Sequence, residues 1–309
     1  MTKVFIDGSA GTTGLRIHER LSRREDLEIL TLSDARRKDV QARREMLNCA
    51  GIAFLCLPDA AAIEAAELLD NPETVLIDTS TAHRTNENWV YGLSELHGQK
   101  AKLEEASRIA NPGCHATGFL VLAAPLVEEG AIDADALLSC FSLTGYSGGG
   151  KSMIAQYEDE GRDALLDAPR QYGLTQTHKH LPEMTKYAHL TYAPIFSPIV
   201  APYYAGMEVT VPIHRSMLKV DPEKLPELYK DYYKSGLVHF CGAADEGGFL
   251  SAGAYEGRDD LEIAVFGQKD RILLVSRFDN LGKGASGAAI QNMNIRMGLP
   301  EAYGLTVQL

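Results

Sequence analysis

Cys114 stands in a segment whose residue types suit nucleophilic chemistry. The order Asn111-Pro112-Gly113-Cys114 places a Pro-Gly turn before the thiol, and the apolar run 119–124 follows it. This spacing predicts that Cys114 lies at a helix N-terminus, where unpaired N–H groups and the helix dipole favour the thiolate, the nucleophilic form. A buried and inert cysteine is the alternative, and it is the commoner role of a lone thiol.

His178 and His180 form a second group suited to chemistry, in a segment that ends at Glu183. An imidazole has an ordinary pKa of about 6.5, so it gives and takes a proton near neutral pH, and a neighbouring carboxylate can orient it. We therefore predict that these histidines act as acid–base groups. No bound metal is expected, because H-x-H without further ligands is a poor zinc signature. A polar surface loop is the alternative.

The N-terminus carries a glycine-rich turn between a strand pattern at 4–6 and a helical pattern at 15–21. Strand, glycine turn and helix start together predict a cradle for a pyrophosphate, which the N–H groups of the helix would hold. The predicted cofactor contacts in this turn are Gly8, Ser9, Gly11, Thr12, Thr13 and Gly14. The spacing departs from the strict G-x-G-x-x-G, so a simple tight turn is the alternative.

The residues after the second predicted strand, 27–32, indicate which nicotinamide cofactor fits. An acidic residue there holds the ribose hydroxyls of NAD, whereas hydroxyl and cationic side chains can hold the 2′-phosphate of NADP. We predict NADP, held by Ser33, Arg36 and Arg37. Asp34 keeps NAD open as an alternative, and a solvated basic turn is another.

Short apolar runs at 51–57 and 75–78 flank an alanine-rich helical segment. Strands that alternate with helices predict an α/β fold with a Rossmann-type, doubly wound parallel sheet. Ligands bind at the carboxyl ends of such strands, so we expect Pro58 and Ser80 to contact the cofactor and Arg84 to bind an anionic group of the substrate. An ordinary surface ion pair is the alternative for Arg84.

From about residue 137 the pattern changes to longer, alternating strands, which predict a mostly antiparallel sheet in an α+β second domain. The small residues of 279–289 would let a helix start approach a ligand, so the chain is expected to return to the first domain at its end. We predict a cofactor domain of residues 1–116 and 282–309, and a catalytic and dimerisation domain of residues 117–281.

Two glycine-rich segments of the later sequence supply further candidate binding residues. The loop 144–151 carries hydroxyls and a cation, and we expect its Ser147 and Lys151 to bind a substrate anion; a merely flexible loop is the alternative. The closing segment offers Asn280, Lys283 and Gly284 as cofactor contacts, although close helix packing also uses such small residues.

Composition narrows the possible partners. The 309 residues are 45% hydrophobic and 23% charged, with a formal net charge of −12 and no basic run. This balance argues against nucleic acid and against an anionic membrane as partners. No apolar stretch reaches transmembrane length and the first residues resemble a strand rather than a signal peptide, so a cytoplasmic protein is expected. The five cysteines suggest neither structural zinc nor disulfides.

Taken together, these segments resemble the N-acetyl-gamma-glutamyl-phosphate reductases of arginine biosynthesis, in their shorter type. The similarity runs over essentially the whole chain, and its most specific parts are 111–117 and 283–288. The other matching segments are the first glycines, the loop 145–151 and the pattern H-x-H-x-P-E at 178–183. The family is related to aspartate-semialdehyde dehydrogenases and glyceraldehyde-3-phosphate dehydrogenases, which share its two-domain plan and a thioester mechanism.

The resemblance implies NADPH-dependent reduction of N-acetyl-gamma-glutamyl phosphate to N-acetyl-glutamate 5-semialdehyde and phosphate. Cys114 would be the nucleophile and one of the two histidines the acid–base group, with His180 favoured and His178 in a supporting role. Glu183 would join Arg84, Ser147 and Lys151 as a substrate contact. A homodimer or homotetramer is expected. The alternatives are an aspartate-semialdehyde dehydrogenase and a non-catalytic, NADP-binding regulatory protein.

Overall fold

A computed structural model describes residues 1–33, 35–234, 236–242 and 245–308. The chain forms two compact units: Met1–Pro112 with Ala285–Leu305, and Gly113–Gly284 with Thr306–Leu309. The predicted boundaries, after residues 116 and 281, lie a few residues away from these. The difference has a simple reason, because a boundary after residue 116 would cut the helix Cys114–Glu128 within its first turn.

The first unit contains a six-stranded sheet in which every assigned strand pair is parallel, with the order β2-β1-β3-β4-β6-β5. Its strands are β1 (Thr2–Asp7), β2 (Leu27–Leu30), β3 (Ile52–Leu55), β4 (Val75–Asp78), β5 (Val90–Tyr91) and β6 (Arg108–Ala110). Its helices are α1 (Thr12–Leu21), α2 (Val40–Cys49), α3 (Asp59–Glu67), α4 (Gln99–Glu105) and α9 (Gly287–Arg296). The predicted α/β, doubly wound parallel sheet is confirmed.

Alternation along β1 shows how this sheet is covered on both faces. Val4 and Ile6 pack into an apolar cluster with Ile17 of α1 and Met293 of α9. Phe5, between them, packs into a second cluster that α2 and α3 supply. Successive strand residues point to opposite faces, so a run of apolar residues is the pattern expected of a strand buried on both sides.

The second unit contains a seven-stranded mixed sheet with the order β11-β12-β13-β10-β7-β9-β8. The pairs β7/β9 and β11/β12 are parallel, whereas β10/β13, β7/β10, β12/β13 and β8/β9 are antiparallel. The strands are β7 (Ser139–Gly145), β8 (Arg170–Gln171), β9 (Ile195–Ala201), β10 (Met207–His214), β11 (Val238–Gly242), β12 (Leu261–Gln268) and β13 (Arg271–Phe278). The helices are α5 (Cys114–Glu128), α6 (Gly150–Glu158), α7 (Leu181–Tyr187) and α8 (Leu225–Tyr232).

Helix α5 is buried along most of its length, from His115 to Leu126, and it contains a proline at position 125. Proline has no N–H to give to the carbonyl four residues earlier, so the carbonyl of Val121 loses its partner within the helix. The hydroxyl of Tyr233 donates to that carbonyl at 2.9 Å, and Tyr229 of α8 donates to the carbonyl of Leu122 at 2.6 Å. Tyrosine hydroxyls therefore satisfy the backbone where the proline interrupts it.

Shorter helical turns complete the described part of the chain. They are 3-10 turns at Tyr146–Gly149, Ala164–Asp167, Arg215–Met217 and Pro222–Lys224, and a π-helical turn at Gly282–Ser286. Within the described ranges, we find no helix with the length and apolar character needed to span a membrane.

Candidate active site

Cys114 is the first residue of α5, and this confirms the predicted helix start. Gly113 precedes it as the N-cap with φ −77° and ψ 146°, and this glycine has no side chain to cap the helix. The first backbone N–H groups of a helix have no partner within the helix, so they are available to a negative charge. The thiol is half-buried. This position suits a nucleophile that must remain reachable.

Gly284, in the π-helical turn, packs directly against the nucleophile. A Cβ placed on Gly284 would lie 2.9 Å from the Cβ of Cys114 and 3.2 Å from the carbonyl oxygen of Asp279. Any larger residue would push this segment away from the thiol, which explains a glycine here. The structure shows that Gly284 contacts Cys114. The predicted contact of Gly284 with the cofactor stays a prediction.

Glu183 of α7 is buried and turned towards the nucleophile turn. Its Oε2 accepts the backbone N–H of Gly113 at 3.1 Å, and its Oε1 lies 4.0 Å from Nε2 of His180. The carboxylate therefore connects the residue before Cys114 to one of the predicted acid–base groups. A direct contact of Glu183 with substrate stays a prediction.

His178 and His180 lie in one ring cluster with His115. The ring centroid of His178 is 4.8 Å from that of His180, and His115 lies 5.7 Å and 5.5 Å from the two. Phe196 closes the cluster, 5.3 Å from His115. The Nδ1 atom of His178 accepts the backbone N–H of His180 at 3.2 Å, which fixes its tautomer. The structure thus brings the predicted histidines next to the residue that follows Cys114.

His115 has a place in this site that sequence reasoning missed. Its Nδ1 lies 2.7 Å from Oγ of Ser142 in β7, and its Nε2 lies 2.7 Å from the hydroxyl of Tyr172. Burial, with a smaller contribution from His178, lowers the pKa of His115 to about 3. The imidazole is therefore neutral at physiological pH. In the sequence, the only sign of this role was that His115 follows Cys114, because its partners Ser142 and Tyr172 are far away along the chain.

The loop 144–151 forms the turn Tyr146–Gly149 and the start of α6. Ser147 is buried, and its hydroxyl oxygen accepts a hydrogen bond from Nδ2 of Asn280 at 3.0 Å. Oδ1 of Asn280 accepts the N–H of Gly206 at 2.8 Å. Lys151 is exposed, whereas Lys283 is completely buried. The cofactor contacts predicted for Asn280 and Lys283 stay predictions, and so do the substrate contacts predicted for Ser147 and Lys151.

In the first unit, the glycine turn forms one wall of a cleft of about 610 Å³. Gly8 has φ +87°, and a Cβ there would lie 2.2 Å from the carbonyl oxygen of Cys56, so only glycine fits. Helix α1 starts directly after the turn, and none of the described side chains caps its N-terminus. Other lining residues are Leu30, Thr31, Leu32, Arg37, Lys38, Arg43, Leu57 and Pro58. A cradle of bare backbone at a helix start is the site that a pyrophosphate requires.

The basic segment after β2 differs in detail from the sequence prediction. Arg36 points to two carboxylates, 3.8 Å from Asp39 and 3.7 Å from Glu45. Among the described residues that line the cleft are Arg37 and Lys38, but neither Ser33 nor Arg36. The cofactor contacts predicted for Ser33 and Arg36 stay predictions, and the ion pairs of Arg36 with Asp39 and Glu45 favour Arg37 and Lys38 over it. Asp34, which kept NAD open, lies outside the described residues.

An ion pair that sequence reasoning missed also lines this cleft. Asp7, at the end of β1, lies 2.9 Å from Nη2 of Arg43 in α2. Burial raises the pKa of the Asp7 carboxyl, and Arg43 acts in the opposite direction. In the sequence, Arg43 has the neighbours of an ordinary surface helix residue, so the pattern held no signal for this pair.

The loop after β4 holds Ser80 and Arg84 in fixed positions. Asp78 Oδ2 accepts the hydroxyl of Ser80 at 2.8 Å and lies 2.7 Å from Nδ1 of His83, whose ring stacks on Trp89. Arg84 is buried and donates to the carbonyl of Asn111 at 2.9 Å. Its guanidinium therefore binds the backbone of the segment that leads to the nucleophile. The predicted contacts of Ser80 with cofactor and of Arg84 with substrate stay predictions.

Across the described ranges, no group of three or more His, Cys, Asp or Glu side chains is arranged to hold a metal ion.

Known proteins with similar sequences identify the family to which this chain belongs. Residues 3–104 match a family model described as the NAD binding domain of semialdehyde dehydrogenase, and residues 114–280 match the dimerisation domain of the same family. N-acetyl-gamma-glutamyl-phosphate reductase 2 of Pseudomonas putida is 43% identical over 97% of this chain and 98% of its own length. The chain belongs to the N-acetyl-gamma-glutamyl-phosphate reductase family. A second relative with that enzyme name, from Brucella ovis, is 43% identical over 96% of this chain and 99% of its own length.

Solved structures support the fold assignment. Aspartate semialdehyde dehydrogenase II of Vibrio cholerae, in complex with ASA, aligns over 96% of this chain and 98% of its own, with a TM-score of 0.70 and 17% identity. The enzyme of Candida albicans, with NADP, gives a TM-score of 0.68 at 14% identity, over 96% of this chain and 98% of its own. As a member of its family the chain is an oxidoreductase, and its first unit is a domain of the kind that binds a nicotinamide dinucleotide.

Proposed function

We propose that this chain reduces N-acetyl-gamma-glutamyl phosphate to N-acetyl-glutamate 5-semialdehyde and phosphate with NADPH, as a step of arginine biosynthesis. The observation that carries the proposal is Cys114 at the first residue of α5, followed by His115, whose ring clusters with those of His178 and His180, and preceded by Gly113, whose N–H bonds the carboxylate of Glu183. A chain of this reductase family with that constellation has what a thioester mechanism requires.

Cys114 performs the first step as a thiolate. Its sulfur attacks the acyl carbon of the γ-phosphate, the C–S bond forms, the C–O bond to phosphate breaks, and a thioester remains on the enzyme. The nicotinamide cofactor, when bound, supplies the hydride that reduces this thioester. The N–H groups at the start of α5 hold the negative charge that develops on the acyl oxygen. Collapse of the reduced adduct releases the semialdehyde and restores the thiolate.

His180 is the acid–base group in this proposal. Its Nε2 faces the buried carboxylate of Glu183 at 4.0 Å, and a carboxylate stabilises the imidazolium that forms when the thiol loses its proton. His178 is less suited, because its Nδ1 already accepts the backbone N–H of His180. His180 takes the thiol proton as Cys114 attacks and passes it to the departing phosphate, while His178 supports the loop.

NADP is the proposed cofactor because of Arg37 and Lys38. Both line the cleft beside the glycine turn, where two cations would meet the 2′-phosphate. Gly8, Ser9, Gly11, Thr12, Thr13 and Gly14 would hold the pyrophosphate through backbone N–H groups and hydroxyls. Among the side chains of the second unit, the exposed cation of Lys151 is our candidate for the substrate phosphate.

A second copy of this chain is the proposed partner, seated on the open face of the seven-stranded sheet. One face packs on α5, as shown by Ser276, whose hydroxyl bonds the carbonyl of Gly118. Phe141 and Leu273 project from the other face and are 46% and 43% exposed. Apolar side chains on such a face are expected to be covered. Sedimentation should give a dimer or larger oligomer, and a monomer for Phe141→Asp; a monomeric parent chain would contradict the assembly.

The function is tested by running the reaction backwards. N-acetyl-glutamate semialdehyde, phosphate and NADP should give NADPH, at a higher kcat/KM than with aspartate semialdehyde or NAD. Cys114→Ala should abolish this turnover and leave NADPH binding, measured by fluorescence, unchanged. Preference for aspartate semialdehyde would move the chain to that related activity. Binding of NADP without turnover of either aldehyde would make it a non-catalytic protein.

A further inference from the structure

Asn111 is buried, and each of its polar groups bonds a different part of the chain. Its backbone N–H donates to the carbonyl of Asp78 at the end of β4 at 2.8 Å, and its backbone carbonyl accepts Nε–H of Arg84 at 2.9 Å. Its side chain accepts Nδ2–H of Asn292 at 3.1 Å and donates to the carbonyl of Ala285 at 3.0 Å. Four segments therefore hold this one residue, which lies three positions before the thiol.

The neighbouring carbonyls determine which way the two amide side chains point. Asn292 in α9 faces the carbonyl of Gly92 at 3.0 Å, and a carbonyl can only accept, so Asn292 presents its NH2 group there. The same NH2 group faces Asn111, which must present its oxygen to it. The other end of the Asn111 amide is then Nδ2, which donates to the carbonyl of Ala285.

The hydrogen bond from Asn111 to Ala285 closes a short ring of contacts that contains the thiol. Ala285 follows Gly284, and a Cβ added to Gly284 would lie 2.9 Å from the Cβ of Cys114, so these two residues pack without spare room. Cys114 is joined back to Asn111 through residues 112–113. A ring this short leaves the Cβ of Cys114 little freedom to move relative to either segment.

Both segments of this ring are also held from outside it. On one side, Glu183 accepts the backbone N–H of Gly113 at 3.1 Å. On the other side, the backbone N–H of Gly284 donates to the carbonyl of Asp279 at 2.9 Å. Each of these bonds fixes one segment, whereas the bond from Asn111 to Ala285 joins the two segments to each other.

We propose that Asn111 is a positioning residue for catalysis, whose side-chain amide holds the segment that leads to Cys114 against the turn that packs on it. The role rests on the proposed function of Cys114 as nucleophile. Asn111 acts through Ala285 and Gly284 and fixes the place of the sulfur. A reacting sulfur must meet the acyl carbon within a narrow range of distance and direction, so its place affects the rate of the chemical step.

The first test is the kinetics of Asn111→Leu in the full-length chain, because leucine has nearly the shape of asparagine and makes no hydrogen bond. The kcat for oxidation of N-acetyl-glutamate semialdehyde should fall about a hundredfold, while the Kd of NADPH stays unchanged. Asn111→Asp is the second variant, in case the first does not fold. At pH 8 its carboxylate still accepts from Asn292 but cannot donate to Ala285, so kcat should fall there too. A parental kcat in a folded variant would overturn the proposal.

Asn294→Leu is the matched control for lost hydrogen bonds. Asn294 is also completely buried, and its Nδ2 donates to the backbone carbonyls of Glu301 at 3.0 Å and Tyr303 at 2.9 Å, near the end of the chain. This variant should lower the free energy of unfolding, as Asn111→Leu does, and keep the parental kcat. Equal losses of kcat in the two variants would make Asn111 a purely structural residue.

The second test asks whether Asn111 acts through the turn that packs on Cys114. The methyl group of Gly284→Ala pushes against the thiol, and in the parent chain the bond from Asn111 to Ala285 keeps the turn from yielding. Without that bond the turn can move instead of the thiol. The loss of kcat in the double variant Asn111→Leu/Gly284→Ala should therefore be at least about threefold smaller than the product of the two single losses. Losses that multiply would contradict this route.

Hydrogen exchange tests the same bond without the reaction. In Asn111→Leu the backbone N–H of Gly284, which bonds Asp279 within the turn, should exchange at least about tenfold faster, and Asn294→Leu should leave it unchanged. If exchange changes as expected but the parent chain turns over no semialdehyde, the ring stands and the proposed function fails. If the parent is active and Asn111→Leu changes neither exchange nor kcat, the function stands and the positioning role is wrong.

Discussion

Two helix starts in this molecule have the same backbone form and different surroundings. Helix α1 follows Gly11 with φ −74° and ψ 166°, and α5 follows Gly113 with φ −77° and ψ 146°. Both N-cap residues are glycines, so neither helix is capped by the side chain of its own N-cap residue. Each start therefore presents N–H groups that have no carbonyl partner within the helix, and a positive dipole end, to whatever lies in front of it.

The side chains around each helix N-terminus determine which negative charge it can bind. The start of α1 opens on a cleft of about 610 Å³ that Arg37 and Lys38 also line, so it can receive a large anionic ligand. The start of α5 already carries a thiol. Glu183 bonds the glycine before it, a histidine ring packs on His115 after it, and Gly284 packs on Cys114 itself. In the proposed function, one start would bind an anion from solution, and the other would stabilise the thiolate of its own first residue.

The sharpest way to test this difference is to add one methyl group at each start. In Gly284→Ala the new Cβ meets Cβ of Cys114 at 2.9 Å, so the thiol must move. A misplacement of about 1 Å at a reacting atom lowers kcat about a hundredfold. In Gly11→Ala the nearest atom is 3.4 Å away, so the fold accepts the methyl, but the methyl lies where the pyrophosphate should approach. NADPH should then bind about tenfold more weakly or worse.

The two variants should dissociate the two functions. Gly284→Ala should keep its NADPH affinity, and Gly11→Ala should keep the parental rate of Cys114 alkylation. Fluorescence titration and alkylation kinetics give both values for both variants. Loss of cofactor binding in Gly284→Ala, with the fold retained by circular dichroism, would mean that the closing segment serves the cofactor rather than the thiol.

A smaller effect should distinguish the cations near the α1 start. Replacing Arg37 and Lys38 together by glutamine should weaken NADPH at least about tenfold, because one or two charge-assisted hydrogen bonds to the 2′-phosphate are lost. NADH binding should change much less. Arg36→Gln is the matched control, since Asp39 and Glu45 already hold that guanidinium. Equal losses for NADPH and NADH would contradict a 2′-phosphate site.

The sequence was sufficient for both helix starts because turn and helix signals are local. A Pro-Gly pair before Cys114 and a glycine turn after β1 predict where helices begin, and β1 and β3 show the apolar runs of buried parallel strands. The side chains that surround these helix N-termini could not be predicted in the same way. Ser142 and Tyr172 reach His115 only through the fold, and Arg36 differs from Arg37 only in the direction of its side chain.

The smallest expected effect is on stability, and it comes from a backbone hydrogen bond that α5 lacks within the helix. Helix α1 has no proline, whereas Pro125 leaves the carbonyl of Val121 to the hydroxyl of Tyr233. Tyr233→Phe should lower the free energy of unfolding by about 1–2 kcal/mol, because a buried carbonyl loses its partner. In a Pro125→Ala background the alanine N–H can take that carbonyl, so the same substitution should cost less. Urea unfolding of the four proteins measures this coupling, and equal costs in both backgrounds would show that the tyrosine does not replace the missing helix hydrogen bond.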